Sequence, residues 1–93
     1  MSFDARYAVQ VTDEAGYAEY RAAMSPILAE YDGSFVLDVR VSEVLRGPTP
    51  LNRLFTIRFP SEEAKVRFFA DERYVAVRAR HFERSVAAVH AFP

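Results

Sequence analysis

The chain contains no cysteine, which excludes disulfides, thiolate nucleophiles and cysteine-ligated metals. It also lacks an excess of charge of either sign. Twelve Lys and Arg residues stand against 13 Asp and Glu, for a formal net charge of −1. An electrostatic nucleic-acid binder carries a basic surplus, so no nucleic-acid partner is expected. No apolar run approaches the ~20 residues of a membrane-spanning helix, so no membrane partner is expected either. The opening Met1-Ser2-Phe3-Asp4-Ala5-Arg6 has no charged segment followed by an apolar stretch. That predicts no signal peptide and a cytoplasmic location. Low-complexity stretches and linkers are missing, and 93 residues suit one domain. A nucleophile elbow, a phosphate-binding glycine loop and a paired metal–carboxylate motif are missing too. The expectation is therefore no cofactor and no metal.

What the chain does have is apolar and aromatic mass, 51% and 14% of its residues. That is far from the composition of disorder. It also has one pattern written twice. Phe3 to Val11 alternates, with Phe3, Ala5, Tyr7, Val9 and Val11 on one side and Asp4, Arg6, Ala8 and Gln10 on the other. Period two means a strand. Thr12 or Asp13 supplies a helix N-cap, with Glu14 at the positive end of the dipole. Tyr17, Tyr20, Met24, Ile27, Leu28 and Tyr31 then recur at helical steps. Ser25-Pro26 predicts a kink or break near residues 23–25. Asp32-Gly33 ends the helix, with glycine expected at the left-handed position.

Ser34 to Leu45 reads as the second strand. Phe35, Leu37, Val39 and Val41 share one face, Val36, Asp38 and Arg40 the other, and a bulge or a bend is expected near Ser42–Glu43, where Val44 breaks the parity. Gly47-Pro48-Thr49-Pro50 is a turn. Arg53 to Phe59 is the third strand, pairing antiparallel with the second. Ser61 caps a second helix in which Ala64, Phe68 and Phe69 face inward and Asp71 interrupts. Tyr74, Arg78 and His81 continue at helical spacing. Ser85 to Phe92 closes the chain as a strand, with Val86, Ala88, His90 and Phe92 on one face.

This order predicts an α+β, ferredoxin-like β-α-β-β-α-β domain: a four-stranded antiparallel sheet with two helices on one face. The sheet's other face carries Asp4, Arg6, Gln10, Asp38, Arg40, Thr56 and Arg58. If two such sheets meet, these charges must pair, since an unpaired buried one costs several kcal/mol.

Several segments together resemble a known family: Tyr17-Ala18-Glu19-Tyr20, Tyr31-Asp32-Gly33, Glu43-Val44-Leu45-Arg46-Gly47, Arg53, Phe59-Pro60-Ser61-Glu62-Glu63-Ala64, and Phe69 followed by Tyr74. Nearly the whole chain is similar to the domain-of-unknown-function family numbered 1330, within the dimeric α/β-barrel superfamily. The resemblance implies a homodimer in which two sheets pack into a barrel. It implies no reaction. Family members usually carry glycine-glycine where this chain has Asp32-Gly33. They often place an arginine about seven residues after the tyrosine matching Tyr74, where this chain has His81.

Among candidate site residues, His81 is the natural acid/base group, because imidazole titrates near neutrality. On an unbroken helix Tyr74, Arg78 and His81 align at i, i+4 and i+7. The plainer reading of His81 is a half-exposed helix histidine. Arg78 and Arg80 suit a carboxylate or phosphate, or simply sit well at a helix C-terminus. Tyr17, Tyr20 and Tyr74 form a pocket wall, or a core stripe with hydroxyls at the rim. Two functions stay open: a dimer binding a small metabolite in a helix–sheet cleft, or a cofactor-independent, monooxygenase- or isomerase-like enzyme on a small aromatic or acidic metabolite.

Overall fold

Two alternating segments at the chain's start and middle become the centre of one sheet, because their apolar sides are the most continuous. The computed structural model describes residues 2–47 and 50–93. Strand β1 (Phe3–Val11) pairs antiparallel with β3 (Arg53–Phe59) and β4 (Val86–Ala91), and β2 (Ser34–Arg40) pairs antiparallel with β3. The order is β2-β3-β1-β4, the ferredoxin-like topology. The turn expected at Gly47-Pro48-Thr49-Pro50 lies partly outside the described residues.

Helix α1 (Glu14–Glu30) starts at Asp13, whose side chain accepts from the Gly16 amide. It buries Tyr17, Tyr20, Met24, Ile27 and Leu28 against the sheet. It runs through Pro26 without the expected break. The missing proline N–H frees the Ala22 carbonyl, and both residues are exposed, so water can satisfy it. The left-handed residue after the helix is Asp32 (φ 58°), not Gly33. Asp32 tolerates this conformation. Gly33 is needed for space: an added Cβ would stand 2.4 Å from Leu28 Cδ1.

Helix α2 (Glu62–Ala70) is capped by Ser61, which accepts from the Ala64 amide at 3.1 Å. Asp71 ends it and caps α3 (Glu72–Val77). A π-helical turn (Arg78–Phe82) and a short α4 (Glu83–Ser85) come next. Tyr17, Phe59, Phe68, Met24, Ile57 and Val9 are fully buried between helices and sheet. Among the described residues no helix is long and apolar enough to cross a membrane.

Two bulges correct the strand faces read from the sequence. The β2–β3 register shifts between Phe35 and Leu37, and the bend expected near Ser42–Glu43 falls at Ser42, after β2 has ended at Arg40. An extra residue reverses the parity beyond the register shift. Phe35 thus stays on the helix side opposite Ile57, while Leu37 and Val39 lie on the open face opposite Thr56 and Leu54. Asp38 and Arg40 move to the helix side, opposite Phe55 and Arg53. There Asp38 receives two hydrogen bonds from Arg53, at 3.1 and 3.2 Å, and an ion pair from Arg21 at 3.0 Å. The second shift lies at Gln10/Val11, where β1 meets β4. It separates Val86, opposite Val11, from Ala88 and His90 on the open face, and turns Val89 to the helix side opposite Val9.

Candidate functional site

The helix layer does not fill the space above β1, β3 and β4. A cleft of about 240 Å³ remains, lined by Tyr7 and Val9 of β1, Tyr20 of α1, Phe55 and Ile57 of β3, Phe69 of α2, Tyr74 of α3, Arg78 and Phe82 of the π turn, and Val89 of β4. Its floor is buried: Val9, Tyr20, Phe55, Ile57 and Tyr74. Arg78 and Val89 are exposed at its rim.

Asp71 sets the wall that carries Tyr74. By stopping α2 and capping α3 it turns the chain. The Tyr31 hydroxyl donates to it at 2.7 Å, and Arg73 links it to Glu30 of α1 with contacts of 2.9–3.1 Å. Hydrogen bonds from Arg73 and Tyr31 hold the Asp71 carboxyl well below the usual carboxylate range. Aromatic packing does the rest. Tyr74 lies 4.5 Å from Phe68 and 5.3 Å from Phe69, and Tyr20 lies 4.9 Å from Phe82, between ring centroids.

Inside the cleft the Tyr20 and Tyr74 hydroxyls are 2.9 Å apart, and either can donate. Burial pushes the Tyr20 phenol far above its ordinary value, and the Tyr74 phenolic oxygen adds to the shift. Burial also raises Tyr74, against the opposing effects of the Tyr20 hydrogen bond and the Arg78 charge. Tyr7 is raised by burial and then by Tyr74. All three phenols are therefore neutral near neutral pH.

The structure brings Tyr20, Tyr74 and Arg78 together and sends the other candidates elsewhere. Tyr74 and Arg78 keep their i, i+4 relation. His81 does not line the cleft, because the π turn between Arg78 and Phe82 breaks the α-helical phase that would have aligned it. Ser85, fully buried, ties off the widened turn by donating to the carbonyls of His81 and Phe82 at 2.8 and 3.3 Å. His81 and Arg80 lie instead in a separate depression of about 210 Å³ with Asp13, Glu19 and Arg84. There His81 Nδ1 is 3.6 Å from Glu19 Oε2. Tyr17 faces a third groove, its ring 5.0 Å from the Arg53 guanidinium and its hydroxyl accepting from Arg21 at 3.4 Å. Among the described residues no three His, Asp or Glu side chains gather as metal ligands.

Sequence reading passed over Tyr7, Phe55, Ile57, Phe82 and Val89 as site residues. The alternation of β1 and β3 already put Tyr7, Phe55 and Ile57 on the helix side. Nothing marked Phe82 or Val89, because a π turn and a bulge set their directions.

The model of the family described as Domain of unknown function (DUF1330) matches residues 7–92. The chain belongs to this family. No curated protein matches this DUF1330 member. Among solved structures, a protein of unknown function from Rhodopseudomonas palustris is similar at TM-score 0.84 and 18% identity, over 98% of this chain and 78% of that one. A DABB-family protein with a ferredoxin-like fold from Mesorhizobium loti gives 0.71 at 12% identity, over 98% and 92%. SnoaB, a cofactor-independent oxygenase from Streptomyces nogalater, gives 0.60 at 16% identity, over 99% and 89%. At such identities the likeness concerns the fold, and function must be argued from the site.

Proposed function

We propose that this DUF1330 protein is a homodimer that binds a small ring compound in the cleft between its helix layer and its sheet. The cleft itself carries the reading: an apolar, aromatic-walled concavity with a few polar groups at one end is the usual form of a small-molecule site. Its size limits the occupant. A cavity of about 150 Å³ takes up benzene, so about 240 Å³ suits one substituted ring.

The lining favours binding over proton abstraction. Its titratable groups are three neutral phenols and a guanidinium, and none is a base near neutrality. A catalytic role for His81 would require the substrate to sit in the other depression, beside Glu19 and Arg80.

Dimerisation rests on the open sheet face. Leu37 and Val39 are 42% and 41% exposed there, beside Leu54 and Ala8. Two of the charges on this face pair within the chain, Arg58 bonding Asp4 at 2.8 and 3.0 Å, while Arg6 reaches only the Thr56 hydroxyl at 3.4 Å. A second sheet packed on it would bury Leu37, Val39 and Leu54 without leaving that pair unmatched, and would have to leave Arg6 in water or supply it an acceptor.

The binding reading is tested by titrating isotope-labelled protein with toluene and following its NMR signals. Shifts at Val9, Tyr74 and Val89 are expected. A titration that moves none of these overturns the reading.

A further inference from the structure

The cleft's polar groups share one chemical character. They are the hydroxyls of Tyr7, Tyr20 and Tyr74 and the guanidinium of Arg78. Among the described residues no carboxylate, amide or imidazole side chain lines the cleft. The charge these residues bring to it is positive. Among the described residues Arg78, like Arg6, Arg46, Arg80 and Arg84, has no carboxylate within ion-pairing distance, whereas Arg21, Arg40, Arg53, Arg58, Arg67 and Arg73 each have at least one.

The phenols add a donor that nothing among the described residues accepts. Tyr20 and Tyr74 bond each other, which uses one of their two O–H groups. Whichever hydroxyl accepts still has its own hydrogen to place, and both line the cleft. Tyr74 and Arg78, four residues apart, present the phenol and the cation from the same wall.

We infer that the ligand of this cleft is a single-ring carboxylate or similar oxygen acid, its ring on Tyr7, Phe55, Phe69 and Phe82 and its anionic oxygens on Arg78 and the free hydroxyl of the Tyr20–Tyr74 pair. This rests on the cleft being a binding site. Guanidinium matches carboxylate geometry, and charge-assisted hydrogen bonds are the stronger kind. An ammonium-bearing ring of the same size meets a like charge and no anion.

Benzoate, benzyl alcohol and benzylamine test this at neutral pH as anion, neutral and cation on one ring. Affinities are read from the NMR shifts of Val9, Tyr74 and Val89. Benzoate should bind about tenfold or more tighter than benzyl alcohol, and benzylamine weakest. In Arg78→Met, which keeps the aliphatic stem at an exposed position, benzoate should fall to the level of the alcohol. Arg78→Lys should keep part of the preference. Equal binding of benzoate and benzyl alcohol to the wild-type chain, or a benzoate preference that survives in Arg78→Met, overturns the assignment and leaves the ring-binding cleft standing. If none of the three moves the cleft signals, the binding site falls, and this inference with it.

Discussion

Tyr20 of the first helix and Tyr74 of the third meet hydroxyl to hydroxyl at 2.9 Å, 54 residues apart in the chain. Each is almost wholly buried. The pair joins two helices at the floor of the cleft. Removing one hydroxyl strands the other, whereas removing both does not. Tyr74→Phe and Tyr20→Phe should each destabilise the protein by about 1–2 kcal/mol, and the double variant by less than their sum. Denaturant unfolding of all four proteins gives the coupling energy. Strictly additive losses would mean that the hydroxyls do not depend on each other.

The tyrosines also set the alkaline limit. All five phenols are held above their ordinary value. Burial is the main cause for Tyr7, Tyr17, Tyr20 and Tyr74, and the hydrogen bond to Asp71 for Tyr31. Above the unfolded value of about 10, the unfolded chain has released protons that the folded chain retains. The phenols' contribution to stability is therefore fully present below pH 10 and is lost as pH rises past it. Tyrosinate absorbance and circular dichroism, followed together, should change in one late transition. Free ionisation of the phenols near pH 10 with the fold intact would contradict this.

Asp32 and Gly33 should respond in opposite directions to exchange. Gly33→Ala drives a Cβ to 2.4 Å from Leu28 and 3.2 Å from Phe59, both core residues. A loss of about 1–3 kcal/mol is expected, as for other overpacked cores. Asp32→Gly replaces a side chain at φ 58° with the residue best suited to that backbone. Its melting temperature should hold or rise. A rise for Gly33→Ala would show that Leu28 moves aside without strain.

The proposed dimer is the simplest point to check. Light scattering should give twice the 10.6 kDa chain mass. Leu37→Glu together with Val39→Lys should return the protein to the monomer mass with its helices intact. A wild-type monomer at micromolar concentration removes the dimer outright.

Much of this architecture is legible in the residues because period two and period 3.6 are hard to confuse over long stretches. Phe3 to Val11 and Arg53 to Phe59 alternate at all but Ala8, Arg53 and Leu54, and their faces are as read. Tyr17, Tyr20, Met24, Ile27 and Leu28 fall on the buried stripe of α1 as their spacing requires. Ser61 and Asp71 announce a helix start and a break through side-chain chemistry that no neighbour overrides. The misread faces of β2 and β4 have one cause. Val36 and Ala87 are ordinary strand residues, so nothing in their type signals the extra residue of a bulge, yet each reverses the faces of the residues beyond it. Likewise Arg78-Ala79-Arg80-His81-Phe82 contains no glycine or proline to mark a π turn. The spacing of Tyr74 and Arg78 lies before that turn and survives. His81 lies within it and does not share their cleft.

That widened turn lets the helix over the cleft carry one residue more than an ordinary α-turn, with the elements after it still in line. An α-helical count of seven from Tyr74 ends on His81, while the ring that walls the cleft, Phe82, stands eight residues along.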